Sequence, residues 1–179
     1  VGLGGGVYGI GRCSVSRCVV INNRADVGGG LAFQNGHATL SELRATENRA
    51  ARRGGGLRAK DVVLMATQVT IDTNDADESG GGVSLERASG SASQLVVQRN
   101  NAPRGAGVHM GQSSLVGTLN QVLDNPRWVG FTSHGGGLFV TSGNCSIAGF
   151  TVARCEAHVS GGGAFFDDGA LCAIRDSTF

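Results

Sequence analysis

The 179-residue chain is predicted to be all-β, a right-handed parallel β-helix (solenoid) with coils of about 25 residues, on three observations that keep step with one another. A glycine triplet returns at a near-constant interval, an asparagine column runs in phase with it, and the stretches between them alternate apolar and polar residues. Self-similarity at such a period marks a solenoid or an array, in which each repeat buries its apolar face against its neighbours.

The triplets begin at Gly4, Gly28, Gly54, Gly80, Gly105 (as Gly-Ala-Gly), Gly135 and Gly161. Glycine at a recurring place supplies a positive φ or lets two backbones approach closely. Asn23, Asn48, Asn74, Asn100 and Asn125 form the second column, and Cys155 takes its next place. If each coil stacks on the last at roughly 4.8 Å, these amides lie above one another and pass hydrogen bonds along the axis as a structural ladder. Asparagine also tolerates the left-handed backbone of a tight turn. Two residues later stands Ala25, Ala50, Ala76, Ala102 and Ala157, broken by Arg127. Apolar columns flank both signals: Val20, Ala45, Ile71, Val97, Val122 and Val152 before each ladder position, and Val7, Leu31, Leu57, Val83, Val108, Leu138 and Ala164 after each triplet.

Between the columns, Gln94 to Gln98 and Cys145 to Phe150 alternate apolar and polar residues with the period of a strand, and no stretch sustains a helical stripe. Leucine-rich repeats need a Leu-x-x-Leu-x-Leu pattern that is absent, and a propeller blade is longer. The 31 Gly with only 2 Pro, and no Gly-X-Y period, exclude collagen. A formal charge of +1 with scattered Lys and Arg offers no basic face for nucleic acid or an anionic membrane. No apolar run reaches the length of a membrane span. The chain opens at Val1 inside one repeat and stops at Phe179 as another begins. Residues 1–179 are therefore expected to be a single β-helix segment, seven partial or complete coils excerpted from a longer solenoid.

With these columns aligned, Val20-Ile21-Asn22-Asn23-Arg24-Ala25 precedes Gly28-Gly29-Gly30-Leu31, and Ala45-Thr46-Glu47-Asn48-Arg49-Ala50 precedes Gly54-Gly55-Gly56-Leu57. This resembles the Phe-x-x-Asn and Gly-Gly-Ala-Ile motifs of the chlamydial polymorphic outer-membrane proteins, repeat proteins of the pectin-lyase-like fold. Val or Ile mostly replaces the Phe, and a single aliphatic replaces Ala-Ile. The resemblance implies a secreted or cell-surface passenger used for adhesion or structure.

One segment breaks the rhythm. From Asn125 to Gly135 the repeat is longer than its counterparts and holds the only Trp, and insertions in a solenoid emerge as loops on one face. Arg127, Trp128, Phe131 and His134 are therefore the candidate binding loop, with packing on the wall as the alternative for its aromatics. The densest acidic stretch offers Asp72, Asp75, Asp77 and Glu78 as a candidate Ca²⁺ site, although Asn74 within it belongs to the ladder. No other cofactor is expected. The four His (37, 109, 134, 158) share no column and read as surface residues beside glycine turns. Cys145 and Cys172 align within one residue in neighbouring coils, as a disulfide or as stacked thiols, and Cys13 with Cys18 could close a small loop. Asn144 lies in the only glycosylation sequon. An ice-binding face would need a Thr-x-Thr column, and the Thr residues do not line up.

The function expected is non-enzymatic: a rigid structural or adhesive rod, extracellular or at the cell surface, whose side loops contact proteins or glycans. Its partners would be other copies or subunits of a surface assembly, or glycans. The alternative is a polysaccharide-binding or polysaccharide-cleaving β-helix, which needs a groove lined by carboxylates, basic residues or aromatics on one face. Asp167-Asp168-Gly169, His134-Gly135 and Asn74-Asp75 are the nearest approach to a hydrolase pattern, in a different order and spacing.

Overall fold

A computed structural model describes residues 2–126, 128, 133–141, 143–167 and 169–179. The chain is an all-β parallel solenoid of about six turns, its coils about 26 residues apart, with no helix among the described residues. The first three turns each carry one long and one short strand: β1 (Val7–Ile21) and β2 (Arg24–Val27), β3 (Leu31–Thr46) and β4 (Arg49–Arg53), β5 (Leu57–Asp72) and β6 (Asp75–Ala76). From the fourth turn the long strand divides at a bend, giving β7 (Val83–Glu86) and β8 (Ser89–Gln98), then β9 (Val108–Gly111) and β10 (Ser114–Leu123). β11 (Leu138–Thr141) with β12 (Gly143–Ala153) and β13 (Ala164–Phe166) with β14 (Ala170–Arg175) complete the order. Every pairing is parallel, each strand lying against its equivalent one coil away, so Leu31 pairs with Leu57 and Leu57 with Val83.

Inward-facing positions fill the interior. Leu31, Leu57, Val83, Val108 and Leu138 form one buried column, and Ala45, Ile71, Val97, Val122 and Val152 form another. The short strands β2, β4 and β6 make a second, narrow sheet, and its Ala50 and Ala76 pack with Ala102 of the next coil as a separate small cluster.

The corners come from left-handed residues stacked in columns. The first glycine of each triplet has positive φ, as at Gly54 (69°). In most triplets the next two serve close approach: a Cβ on Gly55 would stand 2.4 Å from the carbonyl oxygens of Asp75 and Gly81, while Ala106 takes the middle place in one coil. Non-glycine residues carry further corners, at Arg17, Glu42, Gln68, Gln94 and Leu119, and again at Asn22, Glu47, Thr73, Arg99, Asp124 and Arg154. Each such residue costs roughly 1–2 kcal/mol. Here the structure corrects the expectation for the ladder, because the left-handed residue is the one before each ladder Asn and not the Asn itself.

The freed side chain can then turn inward. Asn74 Oδ1 accepts from the backbone N–H of Asn48 at 2.9 Å and from its Nδ2 at 3.0 Å. Asn74 Nδ2 donates to Asn100 Oδ1 and to the carbonyls of Ala45 and Asp72, each at 3.0 Å. The same pattern links Asn23 to Asn48 and Asn100 to Asn125, and Asn125 Nδ2 ends on Cys155 Sγ at 3.6 Å. Burial pushes the Cys155 thiol pKa up, against the hydrogen bonds from Asn125.

Asn74→Ala is expected to cost about 2–4 kcal/mol, because it strips partners from several buried polar groups at once. Urea unfolding followed by circular dichroism measures this. A loss no larger than that of the exposed Gln121→Ala would mean that the ladder adds nothing to stability.

Candidate functional site

Two columns of residues on either side of the glycine triplets build a groove parallel to the solenoid axis. The residue before each triplet forms one wall: Leu3, Val27, Arg53, Ser79, Arg104, His134 and Ser160 are joined by successive parallel pairings. The second residue of each following strand forms the other, in the register Tyr8, Ala32, Arg58, Ser84, His109, Phe139 and Phe165. The triplet folds the chain back so tightly that a Cβ on its first glycine would meet this second wall, 2.7 Å from the Ala32 Cβ and 2.9 Å from that of Arg58.

The groove changes character along its length. At one end a cavity of about 200 Å³ is lined by Leu3, Tyr8, Val27 and Ala32, with Arg58 and Lys60 beside them. Further along, a cleft of about 440 Å³ is bordered by Arg53, Glu78, Arg104, His109, His134 and Phe139. Beyond it the rings stack: His109 lies 5.8 Å from Phe139 at 18°, and Phe139 lies 5.6 Å from Phe165 at 16°.

The carboxylates of the groove are held by arginines. Glu86 accepts from Arg58 at 2.7 Å, with Arg87 at 3.0 Å and Arg53 at 3.8 Å. Burial alone would raise its pKa, but the Arg58 hydrogen bond and the surrounding cations outweigh burial and hold it below the usual range. Glu78 is held down in the same way, against burial, by Arg52 at 3.0 Å and Arg53 at 3.3 Å. Arg104 is exposed and makes no ion pair among the described residues. His109 is only 7% exposed. Burial drives its pKa down to about 4, and Arg53, Arg58 and Arg104 push the same way against Glu86.

A second feature sets this groove apart. Among the described residues, five buried side-chain polar groups have an atom without a hydrogen-bond partner, and four of them belong here: Arg58 Nη1, Ser84 Oγ, His109 Nδ1 and His134 Nδ1. An unmet buried polar atom costs about 1–3 kcal/mol, and four of them lie on successive coils along this one groove.

The residues expected from sequence distribute as follows. His134 stands in the groove wall and Trp128 is half-buried, while Arg127 and Phe131 fall outside the described residues. The acidic run is divided among arginines. Buried Asp72 takes Arg44 at 3.0 Å and Arg99 at 2.6 Å, Asp75 and Asp77 face Arg49 at 3.5 and 3.1 Å, and Glu78 faces the groove. Asp72 is thereby set apart from Asp75 and Asp77, which share Arg49, and from Glu78. Among the described residues no three His, Cys, Asp or Glu side chains gather to hold a metal. Cys145 and Cys172 are joined by a disulfide with Cα atoms 4.6 Å apart, whereas Cys13 and Cys18 are both free. Asn144, next to that bridge, is exposed. Asp168 falls outside the described residues, and Asn74 belongs to the ladder.

One expectation needs correction. His109 is not a surface histidine: it is the second residue of β9, which the register sets between Ser84 and Phe139 beneath the glycine turn. Its alignment with Phe139 and Phe165 was readable in the repeat. The Thr residues do not form a column of their own: one outer-face column runs Ser16, Ser41, Thr67, Ser93 and Thr118.

No protein-family model, curated protein or solved structure matches the chain. The likeness to repeat proteins of the pectin-lyase-like fold thus rests on short motifs, and the parallel solenoid rests on the coordinates.

His109 gives the site a pH signature. Unfolded, its imidazole takes a proton near pH 6.5, and in the fold only near about 4. The group thus leaves stability unchanged above the higher value and lowers it as pH falls between the two. At 1.36 kcal/mol per unit the full loss is about 3 kcal/mol. His109→Phe, which keeps an aromatic ring in the stack, should flatten the fall in chemical-denaturation midpoint between pH 6.5 and 4. An unchanged slope would locate the dependence elsewhere.

Proposed function

We propose that the protein is a non-enzymatic binding solenoid, a rigid secreted or cell-surface rod that contacts glycans through its axial groove. The observation that carries this reading is the groove itself. Among the described residues, four of the five unpartnered buried polar atoms lie along this one track. A track parallel to the axis that passes from apolar to cationic to aromatic surface suits an extended ligand, with hydroxyl groups for the polar atoms and a ring face for the aromatics.

Recognition fits the groove better than bond cleavage. Glycosidases need one carboxylic acid kept protonated to donate to the leaving oxygen. Glu78 and Glu86 are instead held ionised by arginines. The disulfide between Cys145 and Cys172 suits an oxidising compartment, and the exposed sequon at Asn144 fits secretion. The motif resemblance to surface passengers points the same way. The contact surface differs from the expected side loop: the groove takes only His134 from the segment 125–135 among its described lining.

A glycan array probed with the whole chain tests this. Binding is expected to acidic or substituted polysaccharides, to weaken about tenfold with Arg104→Glu, and to be unchanged by Arg175→Glu on another column. Equal binding by both variants would remove the groove from the account, and release of new reducing ends from a bound glycan would make the protein an enzyme.

A further inference from the structure

The cleft in the middle of the groove is built for something more specific than a sugar hydroxyl. On one wall Arg53, Ser79 and Arg104 occupy three successive coils, with Ser79 buried between the two arginines. On the other wall stands His109, with His134 in the coil beyond Arg104. Both histidines leave Nδ1 buried and unpartnered, and His109 is more than nine-tenths buried. Ser84, wholly buried beside His109 in the register, leaves its hydroxyl unpartnered as well. Arg53 is tied to Glu78 and Glu86, whereas Arg104 has no carboxylate partner among the described residues.

We propose that the cleft bordered by Arg53, Ser79, Arg104, His109 and His134 binds a tetrahedral oxyanion, a sulfate or phosphate ester group carried by the ligand of the groove. This assignment rests on the groove as a glycan-contact surface and names the chemistry at its centre. Two considerations favour a tetrahedral group over a carboxylate. A planar carboxylate is best held by one arginine fork lying in its plane. Here polar side chains from two walls and four successive coils border one cleft, which matches an anion with acceptors pointing to several sides better than a single planar fork. The second consideration is charge. The ring of His109 is faced by Arg53, Arg58 and Arg104 against Glu86. Asp77 and Glu78 at the mouth are already held by Arg49, Arg52 and Arg53. An incoming anion therefore meets a net attraction, with the ring of Phe139 as an apolar flank for whatever carries it.

Anion binding is coupled to the proton on His109. The neutral ring has one N–H, and an anion beside Nδ1 favours the doubly protonated form. Affinity should therefore rise as pH falls from 7 towards 5.5.

The test is a titration of the full chain with sodium sulfate, inorganic phosphate and sodium acetate at constant ionic strength, reading the imidazole NMR signals of His109 and His134. Sulfate and phosphate are expected to shift both histidines saturably at millimolar concentration, with acetate about tenfold weaker. Sulfate affinity should increase towards pH 5.5, and Arg104→Gln should weaken both tetrahedral anions about tenfold while leaving the fold intact, since the side chain is exposed. Tighter sulfate binding assigns the group to a sulfated sugar, and tighter phosphate binding to a phosphorylated one. The proposal is overturned if neither histidine shifts, if acetate binds as well as sulfate, or if Arg104→Gln binds like the parent. Should glycans still bind on the array while no anion moves either histidine, the groove reading stands and the oxyanion assignment falls. Failure of both removes the groove reading too.

Discussion

Most described strand residues sit one strand spacing from their equivalent in the next coil, and the rest of the structure depends on that constraint. Whatever stands in an interior column must be complementary to itself. Aliphatic side chains satisfy this by packing, and asparagine does so by carrying a donor and an acceptor on one rigid amide. The chain from Asn23 through Asn48, Asn74 and Asn100 to Asn125 uses both ends at every step and still reaches backbone carbonyls of its own and the preceding coil. An aspartate column would repel itself and a leucine column would leave those carbonyls unmet, so no other residue type fills the place as well.

The same constraint governs the surface with the opposite result. A charge repeated at one spacing is repulsive, and several places alternate sign between coils, with Asp61 beneath Arg87, Asp124 beneath Arg154 and Arg49 beneath Asp75, although Arg24 lies beside Arg49. Exposed pairs of this kind add little stability. They do oppose a slipped register, because a shift by one coil or one residue would set like charges together or separate the pairs. In the groove this alternation lapses. Its second wall runs from Ala32 through Arg58, Ser84 and His109 to Phe139 with no residue type repeated. Along this column Arg58 Nη1, Ser84 Oγ and His109 Nδ1 go unmatched on successive coils, which is why the groove and not the longer loop is proposed as the contact surface.

Much of the solenoid was legible in one dimension. The glycine interval gives the coil length, the apolar columns give the interior, and the Asn spacing gives a ladder whose bonds the structure contains. The Cys145 and Cys172 bridge was legible too, as one of two readings, because residues in the same column of adjacent coils stand within reach. The acidic run from Asp72 to Glu78 was harder, since nearness along the chain says nothing about which side of a narrow coil each carboxylate takes.

By itself the sequence determined which residues stack on which, because a period is a one-dimensional property and survives in the spacing alone. Which columns face one another is not. Arg53 and Arg58, or Arg104 and His109, are five residues apart across a glycine turn, and nothing in their spacing shows that the turn closes until they form opposite walls. That depends on the positive φ of the first glycine and the backbone contact of the next two, which only the folded coil displays. The tertiary structure alone therefore decided that His109 is buried, that its ring stacks on Phe139, and that the unmatched polar atoms share one groove.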